Sequence, residues 1–227
     1  MEYSINTQKT YLERKISIPE YTLGEELINA ISHGIGAGLG IAALCLCVSI
    51  STRHHNVYGI VSSWIFGFAV IILYTMSCLY HSFKPNNAKR VMRIFDHCTI
   101  FLLIAGTYTP FTLVSLRSTV GWKLFDVIWA TAAVGIILNA IDMERFTKLS
   151  MVCYLSMGWV IVLAFKPLSQ AVPAGGIKLL VAGGIAYTVG AIIFGIGSKV
   201  KYMHSVWHFF VLAGTILHFL CIYRCVL

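Results

Sequence analysis

The sequence predicts an all-α membrane protein: a bundle of seven transmembrane helices with the N-terminus inside and the C-terminus outside. Apolar residues make up 58% of the 227 residues and charged residues only 11%, whereas about a quarter of residues are charged in typical soluble domains. The charges are grouped between apolar runs of roughly 20 residues, which are read as bilayer spans because so small a soluble core could not bury them.

Seven apolar runs define the predicted helices in chain order. The connections between them are short, which predicts that neighbouring helices pack antiparallel in a single bundle. Residues 1–26 are predicted to be a cytoplasmic N-terminal tail, and residues 27–227 the seven-helix transmembrane domain. The runs cover residues 27–50, 57–80, 96–116, 122–141, 149–165, 177–197 and 204–226.

Several runs have features of their own. The first and the sixth are rich in glycine, which predicts close helix packing. The second ends with the polar stretch from Ser77 to His81. The third contains Pro110, which is expected to bend the helix because proline removes a backbone hydrogen bond. The fifth is short and is expected to end at Lys166-Pro167, and the seventh begins at His204.

Lys and Arg residues indicate the orientation. The excess of these residues normally lies in the cytoplasmic segments. With the N-terminus inside, the outer segments contain six of the 17 Lys and Arg residues, and the inner segments contain the other eleven. The inner residues are Lys9, Arg14, Lys15, Lys84, Lys89, Arg90, Arg93, Arg145, Lys148, Lys199 and Lys201.

Charge and cysteine content exclude other classes. The formal net charge is +8, but the basic residues flank the spans, so anionic lipid headgroups are expected as partners and nucleic acid is not. The seven cysteines are odd in number and form no CxxC pair, and nearly all lie in apolar runs. They are interpreted as small buried apolar residues and not as a disulfide framework.

Three histidines at the predicted cytoplasmic ends of two spans suggest a metal site. His204 and His208 are four residues apart, so they share one face of a helix with about 6 Å between them. His81 ends another span at the same depth and is a candidate third ligand. Three protein nitrogens and a water are a common ligand set for catalytic Zn²⁺. An HxxxH pair also arises by chance, and interfacial histidines can contact headgroups, so that alternative stays open.

Two further polar residues lie at this depth and are candidate catalytic groups. Asp96 opens the third predicted span, where it could orient the water of a metal site or act as general base. Ser77 lies one turn before His81 and could form a hydrogen bond to that water or to a substrate. Polar side chains inside spans are costly, which makes each of them a functional candidate.

Other polar residues are less informative. His218 lies about 15 Å deeper than His208 along the same helix and is predicted to be a hydrogen-bonded interior histidine. His97 is interpreted as a packing or headgroup residue. Glu26, Asn29 and His33 share one face of the first span, where capping and contacts between helices explain them at least as well as metal binding does.

These segments together resemble the progestin and adipoQ receptor family, and within it the bacterial haemolysin III-like branch. The resemblance extends from Glu25 over nearly the whole chain. It rests on four patterns in order along the spans: Glu26-x-x-Asn29-x-x-x-His33, Ser77-x-x-x-His81, Asp96 to Pro110, and His204-x-x-x-His208 followed by His218-Phe219.

The resemblance implies seven helices with the N-terminus inside, and a zinc ion bound by His81, His204 and His208. Asp96 would act on that ion through water. The family is similar to a wider group of membrane hydrolases that includes alkaline ceramidases, which implies hydrolysis of a lipid amide or ester within the bilayer. The tail before the first helix is shorter than in the receptor branch, so no soluble protein hormone is expected as a partner.

Three functions remain open at this stage. The first is a zinc-dependent hydrolase of membrane lipid amides or esters, with membrane lipids as environment and substrate. The second is a membrane-homeostasis or sensor protein without enzymatic activity, in which zinc is structural. The third is a cytolysin, as the haemolysin name implies. The expected location is the bacterial cytoplasmic membrane, and the oligomeric state is not predicted.

Overall fold

Helices make up nearly all of the computed structural model, which describes residues 11–197 and 200–227. Within these ranges there is no strand. Residues 1–10 of the predicted tail lie outside the described residues, and so do Lys9, Lys199 and the side chain of Arg14, which were counted for the orientation.

The described chain contains eight α-helices and two short segments of other helix types. The α-helices are α1 (Tyr11–Lys15), α2 (Leu23–Arg53), α3 (Val57–Ser82), α4 (Asn87–Pro110), α5 (Gly121–Trp159), α6 (Phe165–Ala171), α7 (Ala174–Gly197) and α8 (Met203–Cys225). A π-helix, Phe111–Ser115, continues α4, and a 3₁₀-helix, Val160–Ala164, joins α5 to α6.

Six helical segments of the described chain are long and apolar enough to cross a membrane. They are Leu23–Arg53, Val57–Ser82, Asn87–Ser115, Gly121–Ala171, Ala174–Gly195 and Met203–Cys225. Large apolar side chains remain exposed on them, such as Leu163 at 87% and Val57 at 68%. Water does not favour so much exposed apolar surface. The chain is therefore a multi-pass integral membrane protein.

The fourth of these segments covers two of the predicted runs, 122–141 and 149–165. Its 51 residues would form a straight helix of about 77 Å, whereas the hydrocarbon core of a bilayer is about 30 Å thick. The helix is broken at Asp142, whose φ of −158° and ψ of 84° are extended and not helical. The break lies between the two predicted runs.

The predicted end of the fifth run at Lys166-Pro167 is wrong. After the 3₁₀ turn the chain continues as α6 to Ala171, with Pro167 in the first turn of that helix. A proline in a first turn removes no helical hydrogen bond, because the amide groups there have no partner within the helix. Asp96 likewise does not open its helix, since α4 begins nine residues earlier, at Asn87.

Side-chain caps set where the helices of the first half begin. Thr22 and Glu25 form a reciprocal capping box at the start of α2. Asn56 accepts from the amide of Gly59 at the start of α3, and Asn86 accepts from that of Lys89 at the start of α4. Each cap satisfies an amide that has no partner within its helix.

The start of α8 has no side-chain cap. Tyr202 precedes it with a φ of 64°, in the left-handed region that only glycine adopts without cost. The amide of Tyr202 donates a hydrogen bond of 2.7 Å to Glu25 Oε1. Glu25 thus caps α2 and also joins the first turn of α2 to the first turn of α8.

The bundle closes because α2 packs on both α3 and α8. Close approach of α2 and α3 depends on small residues, as predicted: a Cβ added at Gly36 would lie 2.6 Å from the ring of Tyr74. Deeper in the bundle, Thr215 of α8 lies 2.7 Å from the hydroxyl groups of both Tyr74 and Tyr187. These contacts join α3, α7 and α8 at one level.

Candidate metal centre

Three buried histidines from two helices distant in the chain meet at one point. His81 lies in the last turn of α3, and His204 and His208 lie in the first two turns of α8. Their exposed fractions are 3%, 7% and 0%. One ring nitrogen from each can be chosen so that the three lie within 4.8 Å of one another. The structure therefore brings together the three residues that the sequence suggested as ligands.

The distances within this cluster, called the histidine triad below, suit a metal ion. The Nε2 atoms of His204 and His208 are 3.2 Å apart. Bonds of 2.0–2.1 Å to one tetrahedral Zn²⁺ would place two ligand nitrogens about 3.3 Å apart. Nε2 of His81 is buried and has no hydrogen-bond partner among the described residues, as expected for a nitrogen whose lone pair serves as a ligand. The triad could therefore hold a metal ion.

The other nitrogen of His81 is held by residues of α2. Nδ1 lies 2.6 Å from Glu26 Oε2 and 3.4 Å from the amide nitrogen of Asn29. A proton on Nδ1 that is donated to the carboxylate leaves the Nε2 lone pair free. Glu26 also accepts from Lys89 Nζ at 2.5 Å. Contacts between helices thus explain Glu26 and Asn29, whereas capping is the task of Glu25.

The two candidate catalytic residues are both buried near this end of the bundle. Asp96 is 5% exposed, and its Oδ2 lies 3.8 Å from Nδ1 of His97. Ser77 is 1% exposed, one turn before His81 on α3, and its hydroxyl has no partner within the described chain. The backbone carbonyl of Arg93 accepts from His97 at 2.9 Å, which orients that ring beside Asp96.

A cavity of about 140 Å³ extends along the bundle between α4, α5, α7 and α8. On α4 its lining runs from Asp96 to Tyr108, which corresponds to about 18 Å along the helix axis. Most of the lining is apolar, and Asp96 is the only carboxylate among the described residues that form it. His218 also lines it and donates to the carbonyl of Leu180 at 3.1 Å, as the prediction of a hydrogen-bonded interior histidine requires.

His33 connects the cavity to the histidine triad. It lines the cavity, is 1% exposed, and stacks on His208 with 3.7 Å between ring centroids. Neither of its ring nitrogens has a hydrogen-bond partner in the described part of the chain. The spacing of Glu26, Asn29 and His33 predicts that they share one face of α2. Spacing alone does not predict which residues of other helices that face contacts.

The segment before α2 covers the triad, and nothing in the sequence indicated this. The ring of Tyr21 stacks on His204 at 4.9 Å and lies 5.8 Å from His81. Burial raises the pKa of the Tyr21 hydroxyl well above its usual value, so Tyr21 stays neutral beside the triad.

Two contacts attach this N-terminal segment to the rest of the bundle. Arg93 donates to the carbonyl of Ser17 at 2.6 Å, and Lys15 pairs with Asp142 at 2.8 Å.

The sequence is similar to those of a known protein family. A family model described as "Haemolysin-III related" matches residues 21–219. The chain is 43% identical over 198 residues to "Hemolysin-3" of Bacillus cereus, which covers 87% of this chain and 90% of that protein. It is 41% identical over 202 residues to "Hemolysin-3 homolog" of Bacillus subtilis (strain 168), with 89% and 94% covered.

A more distant relative extends the similarity to animals. The "Monocyte to macrophage differentiation factor" of Homo sapiens is 27% identical over 173 residues, which cover 72% of this chain and 70% of that protein. This relative is from the progestin and adipoQ receptor family, so the resemblance stated from the sequence motifs is confirmed. The chain belongs to the haemolysin III-related family of membrane proteins.

Proposed function

We propose that this protein is an integral membrane zinc protein whose histidine triad serves the hydrolysis of an amide or ester bond in a membrane lipid. One observation carries the proposal: three buried imidazoles that could hold one metal ion are joined through His33 to a long, mostly apolar cavity that is lined in part by Asp96. An apolar cavity suits an acyl chain, and a carboxylate in the lining of that cavity suits hydrolytic chemistry.

The proposed topology has seven crossings with the N-terminus inside. The break at Asp142 divides the 51-residue segment into two helices, each long enough to cross the bilayer. Asp142 pairs with Lys15 of the N-terminal segment, so this arrangement places the break on the same side as that segment. The triad then lies at the inner leaflet of what we take to be the bacterial cytoplasmic membrane.

Each residue of the site has a task in the proposed reaction. His81, His204 and His208 would hold a Zn²⁺ ion, which would supply a Lewis acid that polarises a carbonyl group and lowers the pKa of a water. Asp96 takes up the proton of the attacking water and delivers it to the leaving group. Ser77 donates a hydrogen bond to the substrate, and the apolar walls of the cavity bind its acyl chain and exclude bulk water.

The test is lipid turnover by the purified protein. Protein purified without chelators is incubated with ceramides and phospholipids, the released fatty acid is measured by mass spectrometry, and bound metal by elemental analysis. We expect one zinc per chain, and turnover that His204→Ala or a chelator abolishes and added zinc restores after chelation. The matched control is His54→Ala, a histidine at the opposite end of α2. Stoichiometric zinc without turnover of any lipid class would contradict the hydrolase.

A second candidate is a membrane-homeostasis or sensor protein in which zinc is structural. It is favoured by the position of the triad, where a metal ion would join α3 to α8. It predicts a large fall in the unfolding temperature on chelation, together with no turnover. The names of two relatives also suggest lysis, and dye release from liposomes tests a cytolysin directly.

A further inference from the structure

We infer that Glu26 is a positioning residue of the metal centre, and that Lys89 acts on the centre only through Glu26. The inference rests on the proposed metal site and extends it by two residues on helices that supply no ligand, α2 and α4. Nothing in the proposed reaction requires either residue to touch the substrate.

Glu26 determines which nitrogen of His81 is available. Its Oε2 lies 2.6 Å from Nδ1 of His81, a short distance typical of a charge-assisted hydrogen bond. A ligand histidine commonly donates its other N–H to a carboxylate, which fixes the tautomer and the ring orientation and makes the ligand nitrogen more basic. The buried Nε2 of His81, which has no hydrogen-bond partner in the described part of the chain, is the nitrogen that this contact leaves for a metal ion.

Lys89 holds the second oxygen of the same carboxylate. Its Nζ lies 2.5 Å from Glu26 Oε1 and 3.0 Å from the carbonyl oxygen of Phe83, and 5.0 Å from the ring centroid of Tyr80. The side chain of Lys89 is only 1% exposed, and a buried ammonium group requires such partners because its desolvation is costly. With one oxygen on Lys89 and the other on His81, the carboxylate cannot rotate away from the imidazole.

Local structure places both residues where they are needed. The capping box of Thr22 and Glu25 sets the first turn of α2, which contains Glu26. The cap at Asn86 fixes the first turn of α4, which contains Lys89. Three helix termini therefore meet at His81, and the ion pair joins α2 to α4 at that point.

If the ion pair only joined two helices, its removal would lower the stability of the protein and leave its metal affinity unchanged. The decisive variants are therefore compared by metal affinity. Glu26→Gln keeps the size and removes the charge, Glu26→Asp keeps the charge but is too short to reach both partners, and Lys89→Met leaves the carboxylate without its second partner. Glu20→Gln is the matched control, because it makes the same change at an exposed carboxylate of the segment before α2.

The purified full-length variants are measured by competition with a zinc chelator and by the visible absorption of protein loaded with Co²⁺. We expect Glu26→Gln to weaken zinc binding by about 10–100-fold and to alter the Co²⁺ bands. We expect a smaller loss for Glu26→Asp and for Lys89→Met, and no change for Glu20→Gln. The double variant Glu26→Gln/Lys89→Met should bind zinc as Glu26→Gln does, because Lys89 then has nothing left to position.

Two results would overturn the inference alone: Glu26→Gln with wild-type zinc affinity and Co²⁺ bands, or losses from Glu26→Gln and Lys89→Met that simply add in the double variant. Wild-type protein without stoichiometric metal would overturn the proposed metal site and this inference together. The two failures are therefore distinguishable in one set of samples.

Discussion

At the scale of single residues, most of the buried side-chain polar atoms that lack a hydrogen-bond partner among the described residues lie at the end of the bundle that holds the triad. Buried polar groups nearly always form hydrogen bonds, so the orphaned atoms at this end of the bundle require an explanation. Among the described residues they include Nε2 of His81, the hydroxyl of Ser77 and both ring nitrogens of His33. A metal ion, a water and a substrate are the groups that would satisfy them.

Asp96 allows a prediction that separates chemistry from metal binding. Asp96→Asn keeps the volume and removes the base, so lipid turnover should fall by about 10²–10⁴-fold while zinc content stays at the wild-type level. Turnover and elemental analysis on the same samples check both parts. The control is Asp126→Asn, an exposed carboxylate on α5. Loss of zinc in Asp96→Asn would show instead that Asp96 belongs to the ligand set.

At the scale of elements, the ends of the helices carry the site, and their caps determine its geometry. The last turn of α3 and the first turns of α2, α4 and α8 meet around His81. The starts of α2 and α4 have a side-chain cap, whereas the start of α8 depends on Tyr202 in the left-handed region and on its bond to Glu25.

The start of α8 can be tested with two substitutions at one position. Tyr202→Gly accepts a positive φ and keeps the amide donor, so it should retain zinc. Tyr202→Pro cannot adopt this φ and has no N–H for Glu25, so it should lower the free energy of unfolding by more than about 1 kcal/mol and reduce zinc binding. Thermal unfolding and zinc analysis compare the two. Equal stability and equal zinc content would show that this junction does not position His204.

At the scale of the whole molecule, the bundle is asymmetric along the membrane normal. The histidine triad, several ion pairs and the N-terminal segment gather at one end, while the cavity extends from there between four helices. A lipid substrate would then have its polar part at the triad and its acyl chain in the interior. The break at Asp142 belongs to this polar end through its pairing with Lys15.

Reporter fusions test this orientation. Alkaline phosphatase is active only outside the cytoplasm, so a fusion after His55 should be active, and fusions after Lys15 and Glu144 should be inactive. Green fluorescent protein at the same positions should give the opposite pattern. Activity after both His55 and Glu144 would mean that the 51-residue segment is oriented differently and that the seven-crossing topology is wrong.

The amino-acid sequence by itself determined the helical class, the approximate spans and the three candidate ligands. Bilayer thickness and helix rise set the length of an apolar run, and the pitch of a helix sets which residues share a face. Such properties are local, so His204 and His208 can be recognised on one face without any knowledge of the fold.

Only the tertiary structure decided which residues surround those ligands. The carboxylate of Glu26, the ammonium group of Lys89 and the ring of Tyr21 reach the triad from three different segments. The cavity likewise exists only where four helices leave a gap between them. Contacts of this kind depend on how helices tilt and pack on one another, and no periodicity within a single segment encodes that geometry.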